Sequence, residues 1–265
     1  MVLQRLYYCQ NKVKRGGICM RKVTYKYKII DIFQILLCGI IFGVITFRAA
    51  QTYIIEHVQD INKNDWLRYM INVMFFNDGY KTIDYMQGNV MKLLTITSYF
   101  YLPPVILLLY KYSKENFLYY SMVMVRMDSK RNFIKKIRKN IFLLFGIYSC
   151  GFIGSTFVTC FINVGEVFIE KRELIYIALL ICSRTAVLAM FGNIFFLIHI
   201  KSGAGKAFFW GSIIFYMILI LDINIDGINL LLYHPQNYFF DSIILSCVVT
   251  VAVIYAQLKC NIKNK

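Results

Sequence analysis

Long apolar stretches separated by short charged segments dominate the sequence. Six of them reach or approach the roughly 20 residues that a helix needs to cross a bilayer core. They lie at 29–47, 93–110, 140–164, 174–200, 207–221 and 241–258. The fifth becomes long enough only if its helix continues past Asp222 to about Ile225, where an aspartate near the membrane surface can reach water. The pattern predicts an all-α, polytopic membrane protein with six transmembrane helices.

The positions of the basic residues predict the orientation of these spans. Most of the 30 Lys and Arg residues lie in 1–28, 111–139, 201–206 and 259–265. The alternate loops carry fewer basic residues, and acids accompany most of them. Positively charged loops stay in the cytoplasm, so we expect both termini inside. The domains are then a basic cytoplasmic segment at 1–28, a six-helix membrane domain at 29–258 and a cytoplasmic tail at 259–265.

Composition agrees with a membrane protein and changes the meaning of the charge. Hydrophobic residues make up 58% of the chain, whereas soluble domains have about 45–50%. The net charge of +16 mostly reflects loop topology, so we expect lipid and not nucleic acid beside the basic segments. The segment 1–28 lacks the apolar region of a cleavable signal, which favours an uncleaved first span. The high content of Lys, Asn, Ile and Tyr is typical of an AT-rich bacterial genome, so the predicted location is a bacterial cytoplasmic membrane.

Motifs for catalysis or metal binding are weak. The 8 cysteines form no C-x-x-C pair, and the 3 histidines are scattered without an H-E-x-x-H pattern. The glycine-rich stretch at 202–206 reads SGAGK and lacks the spacing of a phosphate-binding loop, so we interpret it as a turn between the fourth and fifth spans. We expect no catalytic residue, no metal and no enzyme activity on this chain.

The loop at 111–139 combines two different segments. Residues 117–125 are apolar but too short to cross a membrane. From Asp128 or Ser129 onward, the spacing predicts an amphipathic helix that continues into the third span. Its basic residues suit an anionic inner leaflet, at about 1 kcal/mol for each Lys or Arg near the surface. The apolar segment still needs a surface to pack against.

This loop resembles that of a known family. The sequence VRMDSKRNF places Arg126, Ser129, Arg131 and Phe133 in the order of an Arg, a small residue, a second Arg and an aromatic. With the six-span plan and the apolar GINLLLYHPQNYFF before the last span, it is similar to permease subunits of the type-two ATP-binding-cassette exporter family. The similarity is greatest to small six-span permeases of Gram-positive bacteriocin and modified-peptide gene sets.

The resemblance implies a coupling helix on the inner side that seats on a separate ATPase subunit. The implied coupling residues are Glu115, Phe117, Tyr120, Met124, Arg126, Ser129 and Arg131. ATP and Mg would bind the partner subunit, and this chain would bind no cofactor. The chain would form a dimer with an identical or paralogous permease. The substrate would be a peptide or an amphipathic, lipid-like molecule. The alternatives are that 117–125 lies on the bilayer surface, and that the protein is an ATP-independent immunity or sensor protein that binds a peptide.

Two further features lie outside this loop. Arg184 falls inside the fourth span, where an unpaired charge costs about 2.5–3.5 kcal/mol or more. Arg184 is either a residue of the transport pathway or a structural residue. In the second case its charge is paired with a backbone carbonyl, with groups near Asn193 or with an acidic residue of another subunit. In 226–241, an apolar centre too short to span must lie at the surface or pack among the spans. We expect it to re-enter the membrane as a helical turn, with Leu231 and Tyr233 forming an outer gate.

Overall fold

The computed structural model describes residues 18–57, 66–75, 90–114, 130–164, 171–225, 230–232 and 239–259. These ranges are helical apart from short connections, and no strand occurs in them. The helices are α1 (Ile18–His57), α2 (Trp66–Phe75), α3 (Val90–Lys114), α4 (Lys130–Val164), α5 (Lys171–Ser202), α6 (Ala204–Asn224) and α7 (Phe239–Lys259). The predicted all-α fold class is confirmed for the described part of the chain.

Four of these helices are long and apolar enough to cross a membrane. The candidate spans are Ile30–Thr52 in α1, Arg138–Asn163 in α4, Ile177–His199 in α5 and Ala204–Asn224 in α6. Two further helices, α3 and α7, contain the shorter apolar stretches Thr95–Tyr110 and Ile243–Ala256. Large apolar side chains such as Phe33, Ile162 and Val251 point outward from the bundle. This arrangement is compatible with a multi-pass membrane protein.

Helices α1 and α4 pack closely because glycines remove side chains from their interface. A Cβ atom at Gly39 would lie 2.6 Å from the carbonyl oxygen of Tyr148, and one at Gly43 would lie 2.5 Å from that of Phe152. From the other side, a Cβ at Gly151 would lie 3.1 Å from the backbone of Leu36. Small residues four apart are a common basis for close helix packing in membranes. The two helices therefore meet backbone to backbone.

Helices α5 and α6 form a hairpin at Gly203. Its φ of 88° lies in the left-handed region that favours glycine, and its amide donates to the carbonyl oxygen of His199 at 2.9 Å. The chain then enters α6, whose first α-helical hydrogen bond runs from the amide of Ala207 to the carbonyl oxygen of Gly203 at 3.0 Å. The expected turn between these two helices is present, but it is confined to Gly203, because Ser202 ends α5 and Ala204 begins α6. The predicted continuation of the fifth span past Asp222 is also confirmed, since α6 ends at Asn224.

The short helix α2 packs against the bundle, although its sequence lies in a segment that we expected to be a loop between spans. Met70, Val73, Met74 and Phe75 are all buried. The Phe75 ring meets the Phe100 ring of α3 edge to face, with centroids 5.2 Å apart. The C-terminal end of α2 is thereby fixed beside α3.

Candidate functional site

The side chain of Arg184 is fully buried in α5. Its Nη1 donates to the carbonyl oxygen of Leu231 and to the hydroxyl oxygen of Tyr101 on α3, each at 2.5 Å. The ring centroid of Phe75 lies 5.6 Å from the guanidinium carbon, within the roughly 6 Å over which a cation and an aromatic face attract. The positive charge of Arg184 is therefore surrounded by helices α2, α3 and α5 and by the carbonyl group of Leu231.

Asp222 of α6 is the acidic counterpart of this arginine. It is fully buried, and its carboxylate oxygens accept hydrogen bonds from the amides of Leu230 at 3.5 Å, of Leu231, and of Leu232 at 3.0 Å. The expectation that Asp222 reaches water at the membrane surface is wrong. Three backbone amides take the place of water around its carboxylate.

The hairpin at Gly203 explains why the two charges lie near each other. As many residues separate Arg184 from the end of α5 as separate Asp222 from the start of α6. At 1.5 Å of rise per residue, each lies about 27 Å from the turn. Two antiparallel neighbours thus bring the arginine and the aspartate to the same depth. Arg184 and Asp222 are equally far along the chain from the turn at Gly203, and this spacing could have identified Asp222 as the partner of Arg184 from the sequence.

Residues 230–232 belong to neither a helix nor a strand. They are called the 230–232 segment below. Leu230, Leu231 and Leu232 form a bend, and their side chains are buried. The expectation that this apolar stretch packs among the spans is confirmed for these three residues. The expected helical turn is wrong for them, because their amides bind Asp222 and do not form helical hydrogen bonds. Tyr233 lies outside the described residues.

Tyr101 is held in place by aromatic rings from three helices. Its ring centroid lies 4.9 Å from that of Phe100, 5.6 Å from that of Phe215 and 6.2 Å from that of Phe191. Its hydroxyl group donates to the carbonyl oxygen of Leu231 at 3.2 Å. The ring packing fixes this hydroxyl group between Arg184 and the 230–232 segment. Neither its role nor that of Phe75 was predicted from the sequence, which places both far from Arg184 along the chain.

The implied coupling residues are mostly outside the described part of the chain. Glu115, Phe117, Tyr120, Met124, Arg126 and Ser129 all fall in the segment 115–129, between α3 and α4. Arg131 lies in the first turn of α4, which the structure describes as helical. The predicted helix that begins near Ser129 and runs directly into the third span is confirmed, because α4 is one helix from Lys130 to Val164.

A cavity of about 490 Å³ lies apart from the buried charges, between α1, α3 and α6. Its wall includes Cys38, Phe42, Pro103 and a pair of hydroxyl groups, those of Ser98 and Tyr216, which are 3.2 Å apart. The residues that line it include no charged side chain. Such a space suits apolar groups and offers no direct contact for a charged one.

The buried charges hold backbone groups in place, and the described residues around them contain no group of three or more His, Cys, Asp or Glu that could hold a metal ion. In comparisons with known proteins, no family model, no curated protein and no solved structure matches the chain.

Proposed function

We propose that this chain is the transmembrane permease subunit of an ATP-binding-cassette exporter. In this proposal it couples ATP hydrolysis by a separate ATPase subunit to the export or expulsion of a peptide or an amphipathic, lipid-like molecule. The permease sits in a bacterial cytoplasmic membrane and pairs with an identical or paralogous permease. ATP and Mg bind the ATPase subunit.

Helix α4 is the observation that carries this proposal. Its 35 residues exceed its candidate span, which begins at Arg138. The helix therefore extends about 12 Å beyond the span at its basic end, at 1.5 Å per residue. A push on this end is passed to the span without a flexible joint between them. This is what a permease needs in order to respond to a partner that binds residues 115–131, the last two of which are the first residues of α4.

The remaining helices support a six-span, N-in and C-in arrangement. Helix α3 has 25 residues and α7 has 21, and their apolar stretches Thr95–Tyr110 and Ile243–Ala256 are shorter than the roughly 20 apolar residues that a bilayer core requires. The proposal counts both helices as spans. With the four candidate spans they make six crossings. In this arrangement the two ends of α4 lie on opposite sides of the membrane. Lys130 lies on the cytoplasmic side, close to the ATPase.

The test first asks whether a neighbouring gene encodes an ATPase with a Walker motif, as the proposal requires. The full chain is then co-expressed with that ATPase, and the complex is purified and assayed for ATP hydrolysis in liposomes. We expect Tyr120→Asp and Met124→Asp each to lower co-purification of the ATPase at least tenfold, because a carboxylate would enter an apolar contact. Asn163→Asp adds the same charge at the other end of α4 and should leave co-purification unchanged.

Two outcomes would contradict the proposal. If both inner-segment variants retain the ATPase and its transport-coupled activity, docking through this segment is wrong. If no ATPase associates and the chain alone protects cells against a peptide, the protein is an ATP-independent immunity or sensor protein.

A further inference from the structure

We infer that Arg184 and Asp222 act together as a latch that holds the 230–232 segment inside the bundle, at the end where α6 connects to α7. Tyr101 is the positioning residue of this latch. The inference stands on the described contacts alone and is independent of the exporter proposal.

The first reason is that the segment depends on side chains for its backbone hydrogen bonds. Backbone amides and carbonyls buried away from water must be paired, and in a membrane protein they are usually paired within helices. The three amides of the 230–232 segment instead bind the carboxylate of Asp222. The carbonyl of Leu231 binds Arg184 and Tyr101. The position of the segment is therefore set by these side chains.

The second reason is that the two charges support each other through the same backbone. Asp222 binds the amide of Leu231, and Arg184 binds the carbonyl oxygen of that residue. Because both side chains bind Leu231, the two opposite charges lie close enough to attract each other. Removal of one leaves the other buried with less compensation, and this is strongly destabilising in an apolar interior. We therefore expect both halves of the latch to fail when either is removed.

The third reason is that the latch joins separate helices. Tyr101 belongs to α3, Arg184 to α5 and Asp222 to α6. A relative movement of these helices changes the distances on which the latch depends. Release of the segment would uncover three leucine side chains and the guanidinium group at this end of the bundle. The latch thus keeps this end closed while the three helices remain in the observed arrangement.

The experiment measures how fast a cysteine in the segment reacts with a membrane-impermeant thiol reagent. The full chain carries Leu231→Cys and retains buried Cys160 of α4 as an internal reference, with the other native cysteines replaced by serine or alanine. It is reconstituted in liposomes of defined lipid composition, and both orientations are made accessible by brief permeabilisation. We expect the cysteine at 231 to react slowly when the latch is intact.

Asp222→Asn and Arg184→Gln should each raise the reaction rate at 231 at least tenfold and leave the rate at Cys160 unchanged. The double variant should react no more than about twice as fast as the faster single variant, because the two residues hold one segment. Tyr101→Phe keeps the ring and removes the hydroxyl group, and it should raise the rate at 231 several-fold.

Three results would overturn the inference. Unchanged rates at 231 in the single variants would show that the segment is held by other contacts. Equal increases at 231 and Cys160 would show global unfolding and not a local latch. Multiplied effects in the double variant would show that the two charges act independently. If the charge variants cannot be purified, Tyr101→Phe decides the matter, and an unchanged rate at 231 then refutes the latch.

Discussion

Arg184 and Asp222 bind the same residue from its two sides, since Arg184 donates to the carbonyl oxygen of Leu231 and Asp222 accepts from its amide. Each charge would be costly alone in a buried, apolar environment. The arrangement pairs both with backbone dipoles and places them near each other. It also answers the question that Arg184 raised in the sequence: its partners are a carbonyl, a hydroxyl group and, through its charge, an aspartate.

The first prediction is that the two charges are coupled in stability. Arg184→Met and Asp222→Leu should each lower the free energy of unfolding by about 3–5 kcal/mol, because each leaves an uncompensated buried charge. The double variant should lose less than the sum of the two, by about 1–3 kcal/mol, as neighbours that interact do. Denaturant unfolding of the four proteins in detergent micelles measures the coupling. Strict additivity would show that the two side chains do not support each other.

The second prediction concerns α2. Phe75 is almost fully buried between the ring of Phe100 and the guanidinium group of Arg184. Phe75→Ala should cost about 3 kcal/mol or more, because it opens a cavity in a packed core. Ile55→Ala, at a 61% exposed position of α1, is the control and should change stability by less than about 0.5 kcal/mol. If Phe75→Ala changes stability as little as the control does, α2 does not belong to the core.

The long helices followed from the sequence because each depends on local composition, whereas the short α2 was not predicted. The continuous α4, the turn at Gly203 and the end of α6 near Asn224 were all predicted from apolar run length, glycine and charge. These signals act over a few neighbouring residues. They show which stretches become helices and do not show how the helices pack.

The candidate site was only partly predictable, because its contacts join distant parts of the chain. Arg184 was singled out by its position in a span, and the packing of Leu231 was expected from a short apolar stretch. Tyr101 and Phe75 carry no such mark, since buried aromatics are common in this chain. Asp222 was misinterpreted as a residue near water, because amides from the 230–232 segment cannot be anticipated as its partners without the fold.

The third prediction is the orientation of the chain. The basic segments predict that residue 62 is outside and residue 135 is inside. In a cysteine-free protein expressed in cells, Asn62→Cys should react with an impermeant reagent added to intact cells. Lys135→Cys should react only after the membrane is permeabilised. Labelling of position 135 in intact cells, or protection of position 62, would reverse or refute the six-span topology.

The fourth prediction tests the close contact between α1 and α4. A Cβ at Gly39 would lie 2.6 Å from the carbonyl oxygen of Tyr148, and backbone cannot move aside as a flexible side chain can. Gly39→Ala should therefore force the two helices apart and cost about 1–3 kcal/mol, the range typical of overpacking.

Gly154 of α4 supplies the matched control for this prediction. A Cβ there would meet nothing within 4 Å, and alanine favours a helix over glycine by about 1 kcal/mol. Gly154→Ala should therefore leave the melting temperature in detergent unchanged or slightly raised, whereas Gly39→Ala should lower it. If Gly39→Ala melts at the same temperature as Gly154→Ala, the two backbones are not in contact and α1 packs on α4 through side chains alone.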